Sequence, residues 1–128
     1  MAVEPFSLQA SVTLAPDDGQ PNAILDFSFT GQFSSKMTQK LELSGTGTHA
    51  VGFGTIAAPG VKAVFLEYLN NAASGLQPVM LTVNGGTDDI EVSPGGCWIY
   101  CNPNAVAGIT SLSIAHTSSA TIRVTLLQ

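Results

Sequence analysis

The run Cys97-Trp98-Ile99-Tyr100-Cys101 holds both thiols of the chain, its one Trp and one of its two Tyr, so metal, redox or stacking chemistry would draw on it first. Taken as a strand, it sets the two cysteines on one face roughly 13 Å apart at about 3.3 Å per residue, beyond the ~7 Å reach of a disulfide. They cannot bridge each other. The expectation is two buried free thiols. An intermolecular disulfide or half of a metal site are the alternatives, although no further Cys and no nearby His complete a ligand set. Alternation puts Trp98 and Tyr100 on the opposite face. If the cysteine face is core, that pair forms an exposed aromatic platform able to take a sugar ring or a neighbouring subunit; otherwise it packs within a sandwich or at its edge.

The remaining candidates are thinner. His49 and His116 are the only imidazoles, and neither has an acid or a Cys within four positions. With no Gly-x-Ser-x-Gly elbow to support a triad, both read as ordinary strand or loop residues. Asp17-Asp18 and Asp88-Asp89 fall in predicted turns, where Asp bonds its own backbone. A weak cation site at either pair is the sharper alternative, but the spaced Asp-x-Asp-x-Asp-Gly pattern of a calcium loop is missing. No pair of acids is singled out for glycoside hydrolysis. Gly45 to Ile56 is Gly-rich but lacks the Gly-Lys-Ser/Thr ending and the helix of a phosphate loop; it reads as a bent strand or a loop passing close to another backbone. No catalytic, cofactor or metal residue emerges, and the expectation is a protein that is not an enzyme.

The elements that would position these residues are short and extended. Apolar and β-branched runs alternate with Gly, Pro, Asn and Asp, and a sustained 3.6-residue period is almost absent. Phe6, Leu8, Ala10, Val12 and Leu14 alternate with polar residues, the pattern of a strand with one face open to water or a partner. Ile24 to Phe33 follows as a second strand. Met37 to Ser44 could make a helical turn, but Leu41-Glu42-Leu43 before Gly45 favours a strand. Val61 to Leu69, Pro78 to Val83, Asp89 to Val92, Cys97 to Cys101, Ile109 to Ala115 and Ala120 to Leu127 complete the set, with Asn84-Gly85 marking a tight hairpin turn. Eight or nine strands at this spacing predict an all-β, antiparallel sandwich or barrel, in one domain spanning 1–128.

Only 10% of the chain is Asp, Glu, Lys or Arg, against about 25% in an ordinary soluble domain. A surface of Thr, Ser, Gly, Asn and Ala is poorly protected against association, which suggests that much of it meets other protein. The 45% apolar content suffices for a core and excludes a disordered chain. Nine acids stand against Lys36, Lys40, Lys62 and Arg123, for a net charge of −5, so the clustered cations that nucleic acid requires are missing. The opening Met1-Ala2-Val3-Glu4-Pro5 lacks the basic and apolar regions of a signal peptide. No apolar stretch approaches the roughly 20 residues of a membrane span, and the expectation is synthesis in the cytoplasm.

The C-terminal half carries Val51-Gly52-Phe53-Gly54, Phe65-Leu66-Glu67-Tyr68, Leu81-Thr82-Val83-Asn84-Gly85, Ser93-Pro94-Gly95-Gly96, Asn102-Pro103 and Ile109-Thr110-Ser111-Leu112. This series of strands and turns resembles small structural proteins of tailed bacteriophages over roughly residues 50–128. The resemblance rests on turn and strand patterns, not on a catalytic signature. It implies a small jelly-roll-like sandwich that decorates a capsid as a cement protein, pairing with itself as a dimer or trimer and with the major capsid protein, within the virion. Phe6, Leu8, Val12 and Leu14 on the N-terminal strand are the leading contact candidates, joined by Trp98 and Tyr100. A tail or baseplate protein, or a carbohydrate-binding sandwich using Trp98 and Tyr100 with help from Asp88 and Asp89, are the alternatives.

Overall fold

The structure, a computed structural model, describes residues 4–14, 23–56, 60–70, 75–86, 89–102 and 108–128; several side chains of the first two strands and that of Asp89 also lie outside the described residues. It is all-β, with no helix among the described residues. The strands are β1 (Glu4–Leu14), β2 (Ala23–Phe33), β3 (Lys36–Leu43), β4 (Gly47–Ala50), β5 (Ala63–Tyr68), β6 (Val79–Val83), β7 (Asp89–Val92), β8 (Cys97–Cys101), β9 (Leu112–His116) and β10 (Ala120–Leu127). Among the described residues, ten strands replace the expected eight or nine. The addition is β4, four residues inside the Gly-rich segment, too short and too poor in apolar alternation to stand out before β9 pairs with it.

Strands β3 to β10 form two four-stranded sheets, ordered β3-β10-β5-β8 and β4-β9-β6-β7. Their pairings are nested: β3 with β10, β4 with β9, β5 with β8 and β6 with β7, all antiparallel. This is one long hairpin, closed at the β6–β7 turn and rolled up so that β10 also meets β5 and β9 meets β6. Such winding is the jelly roll, the connectivity that the sequence resemblance implied. Strands β1 and β2 form a separate two-stranded sheet. Ser34 and Ser35, which follow β2, are tied to the chain's last residue, Ser34 N donating to Gln128 O at 2.7 Å and Gln128 N to Ser35 O at 3.0 Å.

The core follows from strand alternation. Ile122, Val124 and Leu126 of β10 and Val64, Leu66 and Tyr68 of β5 are buried from one sheet, and Leu112, Ile114, Val79 and Leu81 from the other. Each fully buried Val, Leu or Ile contributes about 1.5–3 kcal/mol relative to an exposed one. Tyr68 is 1% exposed, and its hydroxyl donates toward Gln77 O at 3.1 Å, with Ser119 O at 3.3 Å as a second acceptor. The polar end of the ring is thereby satisfied inside an apolar shell.

The β6–β7 turn has the predicted chemistry. Asn84 and Gly85 both take positive φ, 54° and 65°, and Gly86 N donates to Val83 O at 3.0 Å. Two consecutive residues with positive φ make a type I′ turn, whose twist matches the flanking strands.

Candidate functional site

Inward-facing side chains are spent on the core, so what the molecule offers to partners lies on the outer faces of the two sheets and along their edges. The register places the outward residues of the first sheet in rows. One row runs Lys40, Arg123, Glu67, Cys97, and the next Thr38, Thr125, Phe65, Ile99. In the first, Arg123 Nε donates to Glu67 Oε2 at 2.7 Å; both side chains are about half exposed (51% and 46%), so water screens the pair and it adds little to stability. In the second, the Thr38 and Thr125 hydroxyls bond at 3.1 Å, and the row ends in half-buried Phe65 and in Ile99, which is 46% exposed.

The outer face of the second sheet is different. Its rows run Thr48, Ala115, Met80, Glu91 and Ala50, Ser113, Thr82, Asp89. Across β4, β9 and β6 this face carries no charge, whereas Lys36, Lys40, Glu42, Glu67 and Arg123 all belong to the first sheet. The second sheet therefore has an uncharged stretch across three strands, mostly of Thr, Ser and Ala around Met80, with its charges confined to Asp89 and Glu91 on β7.

Strand β8 lies at the end of its sheet, with β5 as its only strand partner among the described residues. Gly96 O accepts from Tyr68 N and Asn102 N donates to Lys62 O. In an antiparallel ladder the residues bonded to the neighbour alternate, so positions 96, 98, 100 and 102 bond to β5. The N–H and C=O groups of Cys97, Ile99 and Cys101 therefore point away from the sheet, and no backbone partner meets them among the described residues.

On this strand the choice between faces is resolved. Trp98 and Tyr100 are half-buried and pack against the core, their rings 6.3 Å apart and roughly stacked at 30°. Cys97 and Ile99 face outward. The exposed aromatic platform does not form, because the wide rings fill the open end of the sandwich better than two thiols and an Ile would. The expectation of two buried thiols is corrected as well. Cys97 is exposed and Cys101 half-buried, both free, and burial pushes the Cys101 thiol above its ordinary pKa. Ile99 and Phe65 had not been singled out in the sequence. The odd spacing of Phe65 with Glu67 within Val61 to Leu69 was the signal that this Phe lies on the solvent side.

Of the N-terminal candidates, Phe6, Leu8, Val12 and Leu14 have their backbone in β1, but their side chains lie outside the described residues. The register pairs Leu8 with Phe29, Ala10 with Phe27 and Val12 with Leu25, and sets Ser7 against Thr30 and Gln9 against Ser28. Apolar positions thus oppose apolar positions along the ribbon. Ser7, Gln9, Ser28, Thr30 and Gln32 of the other row are exposed, and a shallow open groove runs along Pro5, Ser7, Thr30, Gly31 and Gln32.

The two imidazoles do not meet in one site. His116 is 8% exposed on β9, its Nδ1 2.7 Å from Gly45 O, while His49 lies half-buried on β4 opposite Ile114. Asp17, Asp18 and Asp88 lie outside the described residues, as does the side chain of Asp89. Among the described residues, no three His, Cys, Asp or Glu gather where they could hold a metal ion, and no helix is long and apolar enough to cross a membrane.

Fold and surfaces together define an all-β sandwich with jelly-roll winding and a two-stranded ribbon ahead of it. No protein-family model matches the chain, and no curated protein does. Its fold is similar to that in the crystal structure of PA5104, a conserved protein of unknown function from Pseudomonas aeruginosa PAO1. The likeness covers 98% of this chain and 75% of that one at a TM-score of 0.50 with 11% identity, and it concerns the fold alone.

Proposed function

We propose that this chain is a non-enzymatic structural protein of a tailed-phage virion, made in the host cytoplasm and working as a capsid decoration protein. The observation that carries the reading is the uncharged stretch of outer face across β4, β9 and β6, formed by Thr48, Ala50, Met80, Ser113 and Ala115 and bordered by Asp89 and Glu91 on β7. Laying such a face on protein costs no desolvation of charge, and apart from Met80 the side chains there are short, with little rotamer entropy to lose. In this reading it rests on the major capsid protein. The area buried raises the free energy needed to part neighbouring capsomers.

The β1–β2 ribbon supports the same reading. A two-stranded sheet is marginal alone in water, and the register gathers Leu8, Phe29, Ala10, Phe27, Val12 and Leu25 opposite one another. Such a ribbon gains stability by lying across a neighbour, which makes Phe6, Leu8, Val12 and Leu14 its contact positions. Jelly rolls also occur in lectins, but Trp98 and Tyr100 are turned toward the core here, and nothing favours sugar stacking on them.

The test is quantitative mass spectrometry of purified phage particles encoded with this gene, scaled to their major capsid protein. Decoration requires copies in simple proportion to the capsid lattice. A handful of copies per particle would move the protein to the tail or baseplate, and absence from particles would end the virion reading. A glycan array on the isolated protein is expected to give no hits at millimolar ligand.

A further inference from the structure

We propose that the free edge of β8 pairs with β8 of a second copy of this chain, antiparallel about a two-fold axis through Ile99, so that two four-stranded sheets become one of eight strands. The first support is how the other edges are guarded. Exposed edges are usually blunted by charge, proline or brevity. Strand β3 carries Lys36, Lys40 and Glu42, β7 carries Asp89 and Glu91, β4 has four residues, β1 begins Glu4-Pro5 and β2 holds Asp26. Strand β8 has neither a charged residue nor a proline. Among the strand edges of the described residues, it alone is left open.

The second support is its self-complementary order. Reversing Cys97-Trp98-Ile99-Tyr100-Cys101 about Ile99 sets Ile99 against Ile99 of the second copy, each Trp98 against a Tyr100, and each Cys97 against a Cys101. Odd-numbered residues are also the ones whose N–H and C=O groups point away from β5. In this register they meet as hydrogen-bonded pairs, with Cα atoms about 5.5 Å apart. On the outer face the exposed Ile99 and its neighbour Phe65 become one continuous apolar row, Phe65-Ile99-Ile99-Phe65. No like charges are brought together within the β8 pair, since Glu67 and Lys62, which flank β8 from the neighbouring chain segment, are one strand further in, and Glu67 is held by Arg123. The contact is isologous, so it closes at a dimer and does not propagate.

The pairing belongs to the isolated protein and is tested apart from the virion reading. Under reducing conditions at micromolar concentration, sedimentation of the full chain should report twice the 13.2 kDa subunit mass. Ile99→Lys, which sets two ammonium groups face to face across the axis, should sediment as a monomer with an unchanged circular dichroism spectrum. A short bismaleimide should cross-link the wild type. It should not cross-link C97S or C101S expressed alone, where each thiol faces a serine, but it should cross-link the two variants co-expressed. If Ile99→Lys fails to fold, this cross-linking pattern decides. A wild-type monomer, a dimer indifferent to Ile99→Lys, or single-cysteine variants that cross-link as well alone as together would overturn the proposal.

Discussion

Asn84 Oδ1 accepts the amide of Thr110 at 2.7 Å, and through that bond the β6–β7 turn holds the segment leading into β9. The same oxygen accepts from Ser111 N and from the Thr110 hydroxyl, both at 3.2 Å, while Asn84 N donates to Ser111 O at 2.9 Å. One residue therefore sits in the turn of the hairpin and joins it to the segment that leads into the strand beside β6.

Asn84→Ala should lower the free energy of unfolding by about 1–3 kcal/mol, from positive φ on a residue with a Cβ and from loss of the shared acceptor. Asn84→Gly should recover the φ part alone. Urea denaturation of the three proteins separates the two terms, and equal midpoints for Ala and Gly would mean that the acceptor accounts for the whole effect.

Tyr68→Phe removes one hydroxyl from a core position. The Gln77 and Ser119 carbonyls lose their donor, which should cost about 1 kcal/mol, whereas Tyr68→Ala should cost about 3–5 kcal/mol through the cavity it leaves. Thermal unfolding of both variants checks the ratio.

Gly108 lies beside the isolated bridge between Val61 and Ile109, whose amides exchange bonds of 2.7 and 3.0 Å. A Cβ at this position would run into the Val61 carbonyl. Gly108→Ala should therefore destabilise by about 1–3 kcal/mol, as overpacking does. Gly52, where a Cβ meets nothing within 4 Å, is the control: Gly52→Ala should change stability by no more than about 0.5 kcal/mol.

The two thiols should differ in reactivity. In Ile99→Lys, where the β8 edge stays open, iodoacetamide near pH 8 should label exposed Cys97 several-fold faster than Cys101, which is half-buried and whose pKa desolvation raises. Mass spectrometry of timed aliquots follows both, and the gap should narrow as pH rises through the elevated Cys101 value. The linked stability term has a definite sign. A thiol raised in the folded state favours folding below its unfolded pKa, and this contribution is lost as the pH climbs through the folded one.

The extended elements were legible because strand alternation and turn stereochemistry are local. Ile122, Val124 and Leu126 against Arg123 mark the buried face of β10 without reference to any other strand, and Asn84-Gly85 carries its own tolerance of positive φ. Strand β4 was harder to see, since Gly47-Thr48-His49-Ala50 has no strong preference until β9 lies beside it. On β8 both alternating sets are apolar, so nothing local says whether the thiols or the rings turn inward.

The order of residues alone determined an all-β chain, where most of its strands and turns fall, and that its surface would be poor in charge. Those properties depend on neighbours two to four positions away, within reach of sterics and alternation. Only the tertiary structure decided which strands pair, as when Thr38 meets Thr125, 87 positions further along the chain. It also decided that β4, β9 and β6 share an uncharged outer face and that β8 is left at an edge. These outcomes depend on burying all the apolar faces at once, a condition that no short stretch of chain can express.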